Sequence, residues 1–155
     1  MQNPGEAQRP RGREDALIIK DEDNFVVHVS DVQPAPVTAE QGWRKMDIRF
    51  ILNRENSGHG SVCVFRTMFE PGAAHEIHTH PNADEFLYVA SGHCMVGAGD
   101  AEHEAGPGTL QFIPAGKKHW LRNTDPFESV ELIGGYTNVG SLEEAGYDFI
   151  AHLDP

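Results

Sequence analysis

The stretch Gly72-Ala-Ala-His75-Glu-Ile-His78-Thr-His80-Pro-Asn-Ala-Asp-Glu85-Phe-Leu-Tyr-Val-Ala-Ser-Gly92 decides how this chain is read. One residue separates His78 from His80. On a strand, residues i and i+2 point to the same face, so two imidazoles project side by side. Pro81–Asp84 is a short break, and Glu85 then heads a β-rich run. In that run Glu85, Leu87 and Val89 share one face, and Phe86 and Tyr88 share the other. A carboxylate at the head of an apolar row is costly unless it is paired or bound to a metal. A second stretch, Gly108-Thr-Leu-Gln-Phe-Ile-Pro114-Ala-Gly116-Lys-Lys-His119-Trp-Leu-Arg-Asn123, places His119 just after a Pro-Ala-Gly turn, at the start of another strand. His78, His80, Glu85 and His119 are together a donor set suited to a first-row transition metal.

Working outward, the pattern from residue 46 is strand, turn, strand. Met46–Leu52 and Ser61–Phe69 read as strands joined by a polar segment, and Glu70-Pro71-Gly72 reads as a turn. Glu85–Ala90, His93–Val96, Thr109–Ile113, His119–Arg122 and Ser129–Ile133 follow as strands, separated by Gly- and Pro-bearing turns. Glycine and proline make up about a sixth of the chain, in keeping with many short strands. Ser141-Leu-Glu-Glu144 has the capping-box form, and Gly146 stands where a short helix would end. Tyr147–Leu153 then returns as a last strand. The expected fold is an all-β sandwich or barrel with one short helix near the C-terminus.

The 155 residues suffice for one domain. Residues 1–24 read as an N-terminal arm, with strand candidates at Ala16–Ile19 and Phe25–Val29, and 25–155 as the barrel. A net charge of −12 argues against nucleic-acid backbones and anionic membrane surfaces as partners. No apolar run approaches the ~20 residues of a membrane span, and the N-terminal segment does not have the form of a secretory signal. Two cysteines, Cys63 and Cys94, make no disulfide framework and read as packed thiols. The expected location is the cytoplasm.

The two stretches resemble the two motifs of the cupin superfamily at every fixed position: Gly72, His78, His80, Glu85 and Gly92 in the first, Gly108, Pro114, Gly116, His119 and Asn123 in the second. They span 72–123, about a third of the chain. The resemblance implies an antiparallel jelly-roll β-barrel and a homodimer. It also implies one divalent metal per chain, held by His78, His80, Glu85 and His119. Iron(II) or manganese(II) is favoured, and zinc, nickel or copper also suits the donors. Gly72, Gly92, Gly108, Pro114, Gly116 and Asn123 carry over as structural positions.

Within the superfamily, the first motif is similar to that of germin-type oxalate oxidases and oxalate decarboxylases. In those enzymes the residue three before the first ligand histidine faces the substrate, as Asn or Arg. Here it is His75, which removes a bidentate carboxylate clamp and offers an acid/base group instead. Strict strand alternation would turn His75 away from His78, but the Pro71–Ala74 turn interrupts that alternation, and the resemblance implies that His75 faces the substrate as an acid/base group. Small cupin lyases that use a tyrosine two residues after the glutamate have Leu87 at that place here. Trp120 and Tyr88 have outward parity. The expected function is a metal-dependent, oxygen-dependent enzyme of dioxygenase or oxidase type, acting on a small or aromatic oxygenated metabolite. The alternatives are a non-redox isomerase, lyase or polyketide cyclase using the metal as Lewis acid, and a non-catalytic metal or ligand-binding barrel.

Overall fold

The computed structural model describes residues 18–21 and 24–154. The barrel is organised around one very long strand. β1 (Ile18–Asp21) and β2 (Asn24–Val27) form an antiparallel hairpin of their own. Ala16 and the arginines at 9, 11 and 13 lie outside the described residues. Then come β3 (Trp43–Leu52), α1 (Arg54–Ser57), β4 (Val62–Thr79), β5 (Glu85–Ser91), β6 (Cys94–Ala98), β7 (Ala101–Ala105), β8 (Leu110–Ile113), β9 (His119–Arg122), β10 (Val130–Thr137), α2 (Leu142–Ala145) and β11 (Asp148–Ala151).

At 18 residues, β4 far exceeds an ordinary strand. Its first half, up to Phe69, pairs with β10 on one side and with Met46–Leu52 of β3 on the other. Beyond β10 the sheet continues through β5 to β8. The second half, from Ala74, pairs with β9 on one edge; β3 residues Trp43 and Arg44 and then β11 line the other. Beyond β9 lie β6 and β7. One strand thus belongs to two sheets, and the sheets close on a common core that includes Phe65, Phe69, Leu87, Val89, Val96, Ile113, Leu121 and Leu132. Truncating such a buried leucine or phenylalanine to alanine costs about 2–5 kcal/mol. This is the all-β barrel that the strand pattern anticipates, in the antiparallel jelly-roll form that the resemblance implies.

The expected turn at Glu70–Gly72 is instead a bend within β4. Pairing with β3 steps from Arg44↔Ala74 to Met46↔Phe69, so residues 70–73 bulge out of register. Gly72 has φ +74°, and open space surrounds the position of a Cβ there, so its role is conformational. Asn123 fastens the bend. Its backbone N–H donates to the Ala73 carbonyl at 2.8 Å, and its side-chain amide donates to the carbonyls of Glu128 (2.8 Å), Glu70 (3.1 Å) and Phe69 (3.3 Å).

Besides single 3-10 turns at Val29–Asp31 and Ala39–Gln41, two elements were not anticipated. β7 is polar (Ala-Glu-His-Glu-Ala) and pairs only with β6, and such a charged edge strand carries no alternation signal. α1 is one turn capped reciprocally by Asn53 and Asn56. β10 runs four residues past Ile133, through Gly134 and Gly135, which lack the β-propensity that marks a strand. The helix at the C-terminus has the expected cap: Ser141 Oγ accepts from the Glu144 N–H. Among the described residues, no helix is long and apolar enough to cross a membrane.

Candidate metal centre

His78, His80, Glu85 and His119 come from three strand ends and meet between the two sheets. His78 is the penultimate residue of β4 and His80 follows its end; Glu85 opens β5 and His119 opens β9. Register places His119 directly opposite His78. The two sequence motifs are also tied together by backbone contacts. The Gly116 N–H donates to the His80 carbonyl at 2.8 Å, and the Ala115 N–H donates to the Asp84 carboxylate at 2.8 Å. This explains the turn before His119: it docks the second motif against the loop of the first.

All four residues are buried, and one donor atom from each lies within 4.8 Å of the others. Each histidine spends its Nδ1 on a backbone carbonyl: His78 on Glu76 at 2.6 Å, His80 on Gly146 at 2.7 Å, His119 on Lys117 at 2.8 Å. An Nδ1–H that donates to a carbonyl leaves Nε2 as the lone-pair nitrogen. All three Nε2 atoms and Glu85 Oε2 are enclosed without a well-directed hydrogen bond. Buried acceptors converging on one point in this way are unfavourable unless a cation sits among them. The cluster therefore fits a metal ion. Burial first, then the neighbouring imidazoles, holds His78 well below the ordinary histidine value of 6.5, and burial lowers His80, so both stay neutral. Burial also opposes charge on His119, but Glu85 outweighs it and raises that group.

His75 faces the same interior. Along β9, pairing steps from His75↔Leu121 to His78↔His119, so three residues of β4 span two of β9. This bulge cancels the odd spacing and turns His75 inward beside His78, correcting the outward orientation that simple alternation predicts. The His75 ring stacks on His78 at 3.7 Å and on Trp43 at 4.0 Å, and its Nε2 is enclosed without a partner. Burial, then repulsion from His80 and His119, keeps it well below 6.5 and neutral.

The cavity beside these groups is walled by Met46, Ile48, Phe65, Phe69, Leu87 and Leu132, with Thr67 and Tyr136 as further polar points. Sequence reading did not find Tyr136. It lies inside β10 opposite Glu85, fully buried, with its ring 4.7 Å from His80, and burial raises its phenol well above 10. Two glycines before it hide its strand, so no local signal marks it. Trp43 and Tyr147, which pack on the imidazoles, were likewise missed. Cys63 and Cys94 are free and buried, their thiols pushed up by burial to about 12 and about 11, in keeping with inert packing. Trp120 points outward as expected, its indole donating to Glu102 at 2.7 Å. Lys117 and Lys118 are exposed.

Comparison with known proteins agrees with this architecture. Residues 65–133 match the Cupin domain family. Protein SchB of Streptomyces halstedii is 31% identical over 83 residues, a match covering 54% of this chain and 60% of SchB, less than two thirds of that relative's length. Among solved structures, the polyketide cyclase RemF from Streptomyces resistomycificus superposes with a TM-score of 0.68 at 20% identity, over 84% of this chain and 88% of RemF. Oxalate decarboxylase from Bacillus subtilis superposes with a TM-score of 0.65 at 21% identity, over 79% of this chain and 31% of the decarboxylase. The structural likeness establishes a shared fold. The jelly-roll barrel, the match over residues 65–133 and both sequence motifs together support a place for this chain in the cupin superfamily.

Proposed function

We propose that this chain is a metal-dependent cupin enzyme that uses its metal as a Lewis acid on an aromatic, oxygenated substrate, in a cyclase-type reaction on a polyketide-like molecule. His78, His80, Glu85 and His119 are the proposed ligands. The observation that carries the reading is the set of three Nε2 atoms left bare by carbonyl-bound Nδ1 groups, aimed with Glu85 at one point. A divalent transition metal bound there would polarise a carbonyl or enolate oxygen of the substrate. Around it, the apolar wall leaves room for a single small oxygen function beside the ligands. His75 Nε2 is placed to take or give a proton, and the Tyr136 hydroxyl is a neutral donor.

Two features favour this over oxalate chemistry. No arginine or lysine side chain lines the metal-side cavity, so a dicarboxylate would lack its clamp. The likeness to RemF, described as a polyketide cyclase, extends over most of both chains. The test is turnover of an aromatic poly-β-ketone by manganese- or zinc-loaded protein, under nitrogen and under air with an oxygen electrode. Equal product in both, without oxygen uptake, is the expected result. Stoichiometric oxygen consumption would instead establish the oxygen-dependent dioxygenase-like activity that the sequence suggested. We also infer a homodimer, supported by the apolar Tyr88, Leu110 and Phe112, which stand exposed on β5 and the edge strand β8.

A further inference from the structure

The space beside the metal cluster is small. Its volume, about 20 Å³, admits one water-sized group, and no aromatic ring fits there. A second cavity of about 790 Å³ lies behind Trp43 and Tyr147, which pack on His75 and His78. That volume lies within the range of small-molecule sites, which is roughly 300–1,000 Å³.

Two layers of rings separate the two spaces, His75 and His78 on the side of the smaller and Trp43 and Tyr147 on the side of the larger. Trp43 and Tyr147 line the larger cavity. On their other side Trp43 packs on His75 at 4.0 Å, and Tyr147 lies 5.1 Å from His78 and 5.9 Å from His80. Pro36, Val37, Phe50 and Leu142 add apolar surface, and Gln41, Asn53 and Ser141 add uncharged polar groups. The remaining charged residues of the lining are Arg54, Glu55, Glu143 and Glu144. Arg54 is paired with Glu144 at 2.6 Å, which leaves two further carboxylates and no second cation. The wall therefore disfavours anions and offers aromatic faces to a neutral molecule.

From this geometry we propose that the larger cavity binds the body of the substrate, a neutral, planar, fused-ring aromatic, with Trp43 and Tyr147 as its contact faces next to the metal centre. The proposal deepens the functional reading above and rests on it for the identity of the ligand as substrate. Passage of the reacting oxygen toward His78 requires one of the two rings to turn aside. Tyr147 is held by a hydrogen bond from its hydroxyl to the Gln41 carbonyl at 2.5 Å, and it follows Gly146, whose carbonyl orients His80. Ligand binding in the larger cavity thus bears directly on one of the four metal donors.

The test uses full-length ¹⁵N-labelled protein, with and without added zinc, titrated with 2,7-dihydroxynaphthalene and with naphthalene-2,7-disulfonate. The neutral compound should give saturable shifts centred on the amides of Val37, Phe50 and Leu142 and the Trp43 indole. The disulfonate should bind at least tenfold more weakly. Leu142→Trp fills the cavity and should raise the Kd for the neutral compound at least tenfold with the dispersed spectrum retained; Val37→Trp serves if Leu142→Trp does not fold. Absence of saturable shifts, shifts centred elsewhere, equal binding of the disulfonate, or an unchanged Kd in the folded tryptophan variant would each overturn the proposal. Zinc stoichiometry, measured on the same samples, separates the two readings. Ring binding without zinc binding removes the metal-enzyme reading and leaves the cavity assignment, and zinc binding without ring binding does the reverse.

Discussion

His119 Nε2 and Glu85 Oε2 lie 2.7 Å apart, both buried between the sheets. With His119 Nδ1 on the Lys117 carbonyl, that approach calls for a cation between the two atoms, either a proton on the imidazole or a metal ion. The metal reading makes a stoichiometric prediction. Purified protein should carry close to one divalent transition metal per chain, and His78→Ala, His80→Ala, His119→Ala or Glu85→Ala should each lower occupancy about 10-fold or more at limiting metal. Elemental analysis after gel filtration is the measurement. Full occupancy in a His78→Ala/His80→Ala double variant would refute the assignment.

The four-residue cluster was legible in the sequence because each of its pieces is a local pattern: His-x-His on a strand, a glutamate heading an apolar row, a histidine after a Pro-x-Gly turn. An all-β sandwich or barrel was legible for the same reason, since most strands alternate clearly, and its jelly-roll form came from the resemblance of the two motifs. What stayed hidden depends on register between distant segments. The inward face of His75 is set by a bulge against β9, four dozen residues away in sequence. The bend at Gly72 looked like a turn because proline and glycine mark both, and only the amide of Asn123 shows that the strand continues through it. Tyr136 and Trp43 became site neighbours only through strand pairing, and Tyr147 through the short connection between α2 and β11.

Asn123 gives a prediction about stability alone. Its side chain donates to carbonyls at 69, 70 and 128, and the residue is buried. Asn123→Ala leaves buried acceptors unsatisfied and should cost about 1–3 kcal/mol in urea unfolding. The metal stoichiometry of the folded variant should be unchanged. A stability loss below about 0.5 kcal/mol would mean that the bend holds without this clamp.

Glu102 predicts a pH dependence. It accepts from the guanidinium of Arg122 (Nε at 3.1 Å) and from the Trp120 indole at 2.7 Å, which crosses β6 over Gly97. A Cβ on Gly97 would lie 2.0 Å from the indole, so glycine is what permits the crossing. The Arg122 hydrogen bond, with help from Trp120, holds the Glu102 carboxyl below its ordinary 4.5. A carboxylate depressed in the folded state stabilises above its unfolded pKa, and that contribution is lost as pH falls through the folded value. Glu102→Gln should therefore cost about 1 kcal/mol near neutral pH, and the difference from the unsubstituted protein should shrink as pH drops below about 4.5. Thermal unfolding of both proteins across pH 3–7 measures it.

The exposed face of β8 predicts assembly. Leu110 and Phe112 are 60% and 57% exposed on an edge strand, beside Tyr88. An apolar edge of this kind is normally covered. Light scattering should give twice the chain mass, and Leu110→Lys/Phe112→Lys should shift the protein to monomer with its metal retained. A monomeric mass independent of concentration in the unsubstituted protein would remove the dimer.

His75 carries the prediction that separates chemistry from packing. Its ring is wedged between Trp43 and His78, so a structural role alone would be a sufficient reason for an aromatic residue there. Its enclosed Nε2, however, has no protein partner, which is a cost that packing does not explain. A substrate group that gives or takes a proton would satisfy that nitrogen. His75→Gln should leave metal content unchanged and lower kcat about 100-fold, the low end for a general acid or base, with KM moved little. His75→Phe, which keeps the stack and removes the nitrogen, should lower kcat as much. If His75→Phe keeps full turnover at equal metal loading, the imidazole serves only as a spacer between Trp43 and His78, and the proton must move through another group, for which the Tyr136 hydroxyl on the cavity wall is a candidate.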